Sequence, residues 1–146
     1  LSKDNWWRSA DSAIISNENN LQRLQIIGRL DTAIHSGGET VFPEKLQERL
    51  LATAYKSDIQ IESVLFISIS DKEWGERLIV LIRPQKNCSI QEIATIVLGL
   101  KEIVNQWSPA ERPVAWYHCE DLQTKSNGKW DRKRWKSWIK NQEPIL

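Results

Sequence analysis

The sequence has few of the residues from which disulfide frameworks and metal centres are built. It contains two cysteines, Cys88 and Cys119, and two histidines in 146 residues. One pair of cysteines does not make a disulfide framework, so we expect two free thiols in a reducing cytoplasm. The cysteines and histidines also lack the short spacings of zinc ligands, and no protein-bound metal is therefore predicted.

An excess of charge of one sign and a long apolar run are missing as well. The formal net charge is +1, from 20 Lys and Arg against 19 Asp and Glu. A nearly balanced chain has no overall field that would attract nucleic acid or an anionic membrane. No apolar run has membrane-spanning length, and no signal-like segment begins the chain. We therefore expect no nucleic acid as a partner and no membrane span.

Methionine is absent altogether, and the chain begins at Leu1. We interpret this as a piece cut from a longer protein. A chain of 146 residues can bury one or two small cores. Any function that needs several hundred residues therefore requires a partner domain.

Turn residues and apolar periodicity predict an α+β domain, a few-stranded sheet with helices packed on it, preceded by a β-hairpin. The first hairpin has strands at 12–16 and 21–27 and a turn at 17–20. Ser89 to Glu92 is typical of a capping box that opens a helix. The other expected elements are a hairpin around Gly37-Gly38, strands at 62–68, 77–83 and 114–118, and helices at 43–54, 89–106 and 131–141. Apolar residues at helical spacing, expected in the core, are Leu46, Leu50, Leu51 and Ala54, then Ile90, Ile93, Val97, Leu100 and Val104.

The most informative segment is a polar loop near the C-terminus that reads Thr124-Lys125-Ser126-Asn127-Gly128-Lys129-Trp130-Asp131-Arg132. Glycine allows a close approach of the backbone to a ligand, because it has no Cβ. Lysine supplies a compact positive charge on a long stem. The pair is suited to placing a cation against a reacting phosphate. Alone, the same letters also fit an ordinary turn before a basic helix.

A second segment, a hundred residues earlier, favours the first interpretation. It runs from Gly28-Arg29-Leu30-Asp31 through Ser36-Gly37-Gly38-Glu39 to Pro43-Glu44-Lys45-Leu46. Together the two segments resemble the C-terminal part of the acyl-adenylate-forming superfamily, which includes acyl-CoA synthetases, luciferases and peptide-synthetase adenylation domains. The family pattern is Gly-Arg-x-Asp, a Gly-Gly-Glu loop, Pro-x-x-(Ile/Leu)-Glu and a final Thr-x-x-Gly-Lys-x-x-Arg.

The resemblance extends from about Trp6 to Ile139, with two departures. Asp71-Lys72-Glu73-Trp74-Gly75-Glu76 is similar to the family's Asp-x-x-Trp-Gly-Glu turn. Trp7-Arg8-Ser9-Ala10-Asp11 is similar to its Phe-x-Thr-Gly-Asp motif, with Ser-Ala in place of Thr-Gly. Thr124 stands one place earlier than the family's threonine, while Gly128, Lys129 and Arg132 keep their register.

The resemblance implies a division of the chain and a set of substrates. Residues 1–30 would be the tail of a large N-terminal domain, and 31–146 a mobile C-terminal domain. That large domain, with its phosphate loop and acyl pocket, is the implied partner. The implied substrates are ATP with Mg²⁺, CoA and a carboxylic acid. Without the large domain we expect the chain to be inactive.

The resemblance also implies roles for individual residues. Lys129 would be the catalytic cation, bridging the carboxylate and the α-phosphate, with Gly128 and Arg132 supporting its loop. Asp11 and Arg29 would bind the nucleotide. Asp31 would be the hinge about which the small domain swings. The loop of Ser36, Gly37, Gly38 and Glu39 would line the CoA channel.

The choice among family members depends on the last helix. Arg134-Trp135-Lys136-Ser137-Trp138-Ile139 is similar to the tail of 2-succinylbenzoate–CoA ligases, which serve menaquinone or phylloquinone synthesis. Another acyl-CoA synthetase or an adenylation domain, acting on a fatty or aromatic acid, is the alternative. A non-catalytic module descended from such a synthetase is a further one, against which the intact Lys129 argues.

A nucleic-acid-binding module is an alternative from another class, because cations alternate with tryptophans at 121–140, as in single-strand binders. However, Trp135 and Trp138 are three residues apart on a helix. We therefore expect them to pack on the sheet.

Overall fold

The computed structural model of the protein describes residues 6–145, so the first five residues of the predicted 1–30 segment lie outside the described residues. The strands are β1 Asp11–Glu18, β2 Leu21–Arg29, β3 Ile34–Ser36, β4 Glu39–Val41, β5 Ile61–Asp71, β6 Gly75–Pro84 and β7 Ala115–His118. The helices are α1 Pro43–Lys56, α2 Ile90–Val104 and α3 Arg132–Trp138, with short 3₁₀ turns at Pro109–Glu111 and Ile139–Asn141. None of these helices is long and apolar enough to cross a bilayer.

The predicted N-terminal hairpin is confirmed, with longer strands than expected. β1 and β2 form a two-stranded antiparallel sheet of their own. Its turn consists of Asn19 and Asn20, whose φ angles are 50° and 63°. Asparagine tolerates this left-handed conformation, which a two-residue hairpin turn of type I′ requires at both positions. The strands therefore continue to Glu18 and from Leu21, and the predicted turn at 17–20 was too wide.

The second sheet has five strands among the described residues, in the order β4-β3-β6-β5, with β7 also paired to β6. β5 and β6 form a long antiparallel pair, closed by the turn before Gly75. β7 runs parallel to β6. With helices packed on this sheet and a hairpin in front, the α+β prediction is confirmed.

The sheet is covered on both faces, which explains why β5 and β6 are almost continuously apolar. Successive side chains of a strand point to opposite faces. Val64 and Phe66 belong to the core under α1 and α2, whereas Leu65 and Ile67 belong to a second core that contains Trp135 of α3. α3 and the loop before it are thus fixed to the sheet on the face away from α1 and α2.

The helix predictions are confirmed in type and corrected at the ends. The Ser89–Glu92 capping box is present in both directions. Of the five apolar residues predicted to lie in the core from the second helix, Ile90 is 81% exposed, whereas the other four are buried. Ile90 is the first residue of α2 and precedes the part of the helix that contacts the core. The predicted last helix was too long, because Asp131 is its N-cap and the residues after Trp138 form a 3₁₀ turn.

Candidate active site

The Gly128–Lys129 loop is a tight turn held by its own backbone. The amide of Lys125 donates to the carbonyl of Lys129 at 2.8 Å, and the amide of Gly128 donates to the carbonyl of Lys125 at 2.8 Å. The side chain of Asn127 accepts from the amide of Lys129 at 3.1 Å. Gly128 has φ +76°, and a Cβ there would meet no atom within 4 Å. Glycine is therefore required by backbone conformation and not by space.

The two lysines of this loop have different surroundings. The Lys125 ammonium lies 3.1 Å from the Asp131 carboxylate, which also accepts from the backbone amide of Arg134 at the start of α3. The bond from Arg134 and the one from Lys125 lower the pKa of Asp131. Across residues 6–145, the Lys129 ammonium has no hydrogen-bond or ion-pair partner, and Lys129 is exposed. The loop is thus braced by one lysine and presents the other.

Arg132 ties the end of this loop to the sheet. Its guanidinium donates to the carbonyl of Phe66 in β5 at 2.6 Å and to Glu44 in α1 at 3.0 Å. The side chain is 20% exposed. Burial lowers the pKa of the guanidinium, and the Glu44 carboxylate opposes that shift. Arg132 therefore acts as a structural clamp between the loop, the sheet and α1.

Three of the predicted site residues form one charged cluster where β2 ends. Arg29 and Asp31 make a two-bonded pair, Nε to Oδ1 at 2.9 Å and Nη2 to Oδ2 at 2.7 Å. Asp11, the partner of Arg29 across the hairpin, lies 3.9 Å from Arg29 Nη1. The hydrogen bond and charge of Arg29 hold the pKa of Asp31 below its usual value, and those of Asp31 raise the pKa of Arg29.

The cluster and the loop face one cavity. It has a volume of about 400 Å³. The structure thus brings together Arg29, Asp31, Gly128 and Lys129, although a hundred residues separate the two segments. Asp11 adjoins the cavity through Arg29. The Ser36–Glu39 loop does not line it. The lining residues are Arg29, Asp31, Thr32, Glu44, Gly128, Lys129, Trp130 and Arg132.

The Ser36–Glu39 loop is the tight turn between β3 and β4. Gly37 and Gly38 have φ +58° and +85°. A Cβ on Gly37 would lie 2.6 Å from the Trp74 ring, whereas one on Gly38 would meet nothing within 4 Å. The amide of Gly37 donates to the carbonyl of Trp74 at 3.0 Å. Trp74 therefore packs directly on the backbone of the turn.

The side chains at the two ends of this loop are not both open to a ligand. Ser36 is fully buried. Glu39 is exposed, and its carboxylate accepts a hydrogen bond from Ser108 at 3.1 Å. The exposed part of the predicted channel loop thus consists of the Gly37 and Gly38 backbone and the Glu39 side chain.

Sequence reasoning missed a polar group beside the loop. Glu76 accepts from the backbone amide of His35 at 2.9 Å and from Ser68 at 2.6 Å. Lys136 of α3 donates to the same Ser68 hydroxyl at 3.2 Å. The Asp-x-x-Trp-Gly-Glu match contained Glu76, but it predicted only a turn. Within residues 6–145 no group of three or more His, Cys, Asp or Glu side chains could hold a metal ion.

Known acyl-CoA ligases match this chain over most of its length. The chain is 28% identical over 136 residues to an uncharacterized acyl–CoA ligase of Bacillus subtilis, covering 93% of this chain and 25% of that protein. It is 26% identical over 144 residues to 2-succinylbenzoate–CoA ligase of Escherichia coli, covering 98% and 28%. The chain thus spans about a quarter of the length of these curated relatives. No protein-family model matches it.

Solved structures agree on the fold. The o-succinylbenzoate CoA synthetase of Bacillus subtilis, solved with its acyl-adenylate intermediate, superposes with a TM-score of 0.65 at 18% identity. That match covers 97% of this chain and 26% of the other. The chain has acyl-CoA ligases as its sequence relatives, 2-succinylbenzoate–CoA ligases among them, and the fold of the C-terminal domain of acyl-adenylate-forming enzymes.

Proposed function

We propose that this chain acts as the C-terminal part of an ATP-dependent acyl-CoA ligase, as its sequence relatives suggest. Such an enzyme activates a carboxylic acid as acyl-AMP and transfers the acyl group to CoA. The observation that supports this best is the Lys129 ammonium, which has no partner in the described range and lies on a braced loop beside the Arg29–Asp31 cluster.

The first half-reaction needs positive charge at the α-phosphate. A carboxylate attacks a polyanion, and negative charge accumulates around phosphorus and the departing pyrophosphate. Lys129 would bridge the carboxylate and the α-phosphate. Its loop is already closed by backbone bonds and clamped by Arg132, so little reorganisation accompanies its action. One preorganised donor of this kind is worth about 10²- to 10³-fold in rate.

The charged cluster would serve the nucleotide and the domain movement. Asp11 would accept the ribose hydroxyls, since a carboxylate offers two oxygens with several lone pairs. Arg29 would contact ribose or phosphate. Asp31 would be the hinge between a position that inserts Lys129 and one that presents the Ser36–Glu39 loop to CoA. Movements of this type limit turnover in many enzymes.

The second half-reaction would take place along the Gly37–Gly38 backbone. The CoA thiol attacks the acyl carbon of the adenylate, a carbon–sulfur bond forms, and AMP departs. Two glycines without Cβ atoms form a thin wall, past which a long, narrow substrate arm can slide. The packing of Trp74 on Gly37 supports that wall from behind.

The proposal extends to the carboxylic acid substrate and to the biosynthetic route that would use it. The tail at 134–139 and the relative from Escherichia coli support 2-succinylbenzoate, and thus a place in menaquinone or phylloquinone synthesis. A 4-chlorobenzoate–CoA ligase of Pseudomonas matches 48% of the chain at 31% identity, which supports another aromatic acid as the alternative. ATP, Mg²⁺ and CoA would be used by the full-length enzyme in the cytoplasm. The chain would be inactive without the large N-terminal domain.

The test uses the full-length protein that contains this chain. Thioester formation dependent on ATP and CoA is followed with 2-succinylbenzoate and with a panel of fatty and aromatic acids. Lys129→Ala is compared with Lys125→Ala. We expect adenylation to fall about 10²- to 10³-fold in Lys129→Ala, because the reacting phosphate loses its cation. Lys125→Ala should stay within about threefold, because the backbone bonds that close the loop remain and the exposed ion pair with Asp131 adds little to them.

The half-reactions separate the possible results. Lys129→Ala should still convert preformed acyl-AMP to thioester. Normal adenylation in Lys129→Ala would refute the central assignment. A preference for an acid other than 2-succinylbenzoate would keep the ligase and replace its substrate.

A further inference from the structure

A chain of hydrogen bonds links the residue before the Ser36–Glu39 loop, through Glu76 and Ser68, to helix α3. Oε2 of Glu76 accepts from the backbone amide of His35, which immediately precedes the Ser36–Glu39 loop, at 2.9 Å. Oε1 accepts from the Ser68 hydroxyl at 2.6 Å. The ammonium of Lys136 donates to that hydroxyl at 3.2 Å. Lys136 lies on α3, the helix that follows the Lys129 loop.

The carboxylate replaces a strand-to-strand hydrogen bond. β3 has three residues, and it pairs with β6 at a single position, Ser36 opposite Gly75. The backbone amide of His35 therefore bonds to the Glu76 side chain and not to a carbonyl of β6. Glu76 thus adds a side-chain hold at the start of the loop to the bond from Gly37 to Trp74, and its loss would leave a backbone donor unpaired.

The surroundings keep this carboxylate charged. Burial raises the pKa of Glu76. The hydrogen bonds from Ser68 and His35 and the charge of Lys136 together lower it by a larger amount, so the pKa falls below its usual value. Two charge-assisted hydrogen bonds are stronger and more directional than neutral ones. Glu76 thus holds the His35 backbone firmly, and the Ser68 hydroxyl connects it to Lys136 of α3.

We propose that Glu76 is a positioning residue for transfer of the acyl group to CoA. It holds the His35 backbone and thereby places the Gly37–Gly38 wall of the CoA channel. This inference rests on the proposed function for the chemistry, but the hold on the loop can be measured separately. Among residues 6–145 the Glu76 side chain hydrogen-bonds to His35 and Ser68 and to no residue of the Lys129 loop or the charged cluster, so adenylation should not depend on it.

The experiment compares Glu76→Gln with Glu73→Gln in the full-length protein. Both changes remove one negative charge from the β5–β6 hairpin, but Glu73 is exposed and its side chain makes no hydrogen bond among the described residues. His35 and Ser68 donate to different oxygens of Glu76, and a glutamine has an NH₂ group in place of one of them, so it cannot accept both bonds in this geometry. Adenylation, conversion of preformed acyl-AMP and the KM for CoA are measured separately, together with amide hydrogen exchange at 34–41.

We expect Glu76→Gln to slow conversion of acyl-AMP about tenfold, while adenylation stays within twofold. The hairpin amides should exchange faster in Glu76→Gln than in Glu73→Gln. An equal loss in both half-reactions, or no loss in either, would overturn the proposal. If Glu76→Gln does not fold, Ser68→Ala decides, since it removes one of the two donors and should slow the same step by a smaller factor.

Failure of the proposed function would give a different result. In that case the unsubstituted protein would adenylate no acid of the panel, while the exchange comparison would still report on the loop. Unchanged exchange in Glu76→Gln would refute the hold on His35, whatever the activity.

Discussion

At the scale of single residues, neighbours in sequence have separate tasks. Lys125 and Lys129 are four residues apart in one loop, yet the first is paired with Asp131 and the second has no partner among the described residues. Gly37 and Gly38 differ in the same way, because a Cβ would collide at one and not at the other. The residue type alone does not reveal which member of each pair is constrained.

The glycine pair leads to a prediction about stability. Gly37→Ala should destabilise the protein more than Gly38→Ala. Both carry the cost of a left-handed backbone, about 1–2 kcal/mol for a residue with a Cβ. Gly37→Ala must in addition displace the Trp74 ring, which a Cβ would approach to 2.6 Å. Urea unfolding of both variants measures the difference, and equal midpoints would show that Trp74 moves freely.

At the scale of elements, side chains of the short helix α3 contact the edge strand β5. β5 ends the strand order in the part of the chain that the structure describes. Arg132 and Lys136, four residues apart and therefore on one face of α3, reach the Phe66 carbonyl and the Ser68 hydroxyl of β5. Arg132 thus binds a backbone carbonyl of the edge strand, a group that could otherwise pair with another strand.

Arg132 should therefore matter for stability as well as for activity. Arg132→Met leaves the Phe66 carbonyl and the Glu44 carboxylate without their donor, which should cost about 1–3 kcal/mol. The exposed Lys140 makes no such contact within residues 6–145, so Lys140→Met is the control. Thermal unfolding of the two variants should differ, with Arg132→Met the less stable. Equal unfolding temperatures would mean that the clamp contributes nothing.

The capping box of α2 predicts a dependence on pH. Hydrogen bonds from Ser89 hold the pKa of Glu92 below its ordinary value of 4.5. A group whose pKa is lowered on folding stabilises the protein above the ordinary value and loses this effect as the pH falls through the folded value. The unfolding temperatures of wild type and Glu92→Gln should therefore differ at pH 7 and converge as the pH falls below 4.5 and through the lowered pKa of Glu92. A constant difference across that range would contradict this prediction.

At the scale of the whole molecule, the N-terminal hairpin differs from the rest. β1 and β2 form a separate sheet, and their apolar side chains are largely in solvent. A two-stranded hairpin is at best marginally stable in water without further packing. We therefore expect these side chains to pack on another surface, and the proposed N-terminal domain would supply one. The exposed apolar residues are Ile14, Ile15, Leu21, Leu24 and Ile26, at 53 to 69% exposure.

A truncated chain tests this division. Residues 31–146 should unfold cooperatively, because both cores lie within the second sheet and its helices. Removing 1–30 uncovers the Phe42 side chain beside Gly28, so a small loss of stability is expected. Thermal unfolding followed by tryptophan fluorescence makes the comparison. Loss of the cooperative transition would place the hairpin inside the folding unit and move the boundary.

Much of the fold was predictable because its signals are local. The capping box at Ser89, the Gly37–Gly38 turn and the strand at 62–68 depend on neighbours in sequence, and each appears in the structure. The spacing of Gly128, Lys129 and Arg132 is also local, and it carried the resemblance. The exposed Ile90 was missed, since periodicity does not tell where a helix leaves the core.

The sequence by itself determined which loops the molecule has and which of them carry glycine beside charge. Only the tertiary structure decided what each charge meets. The Arg132–Phe66 and Glu76–His35 contacts join residues 66 and 41 positions apart, and no local pattern encodes them. They arise because α3 packs against the sheet and β3 lies beside β6. Both arrangements bring polar groups to places where each must find a partner.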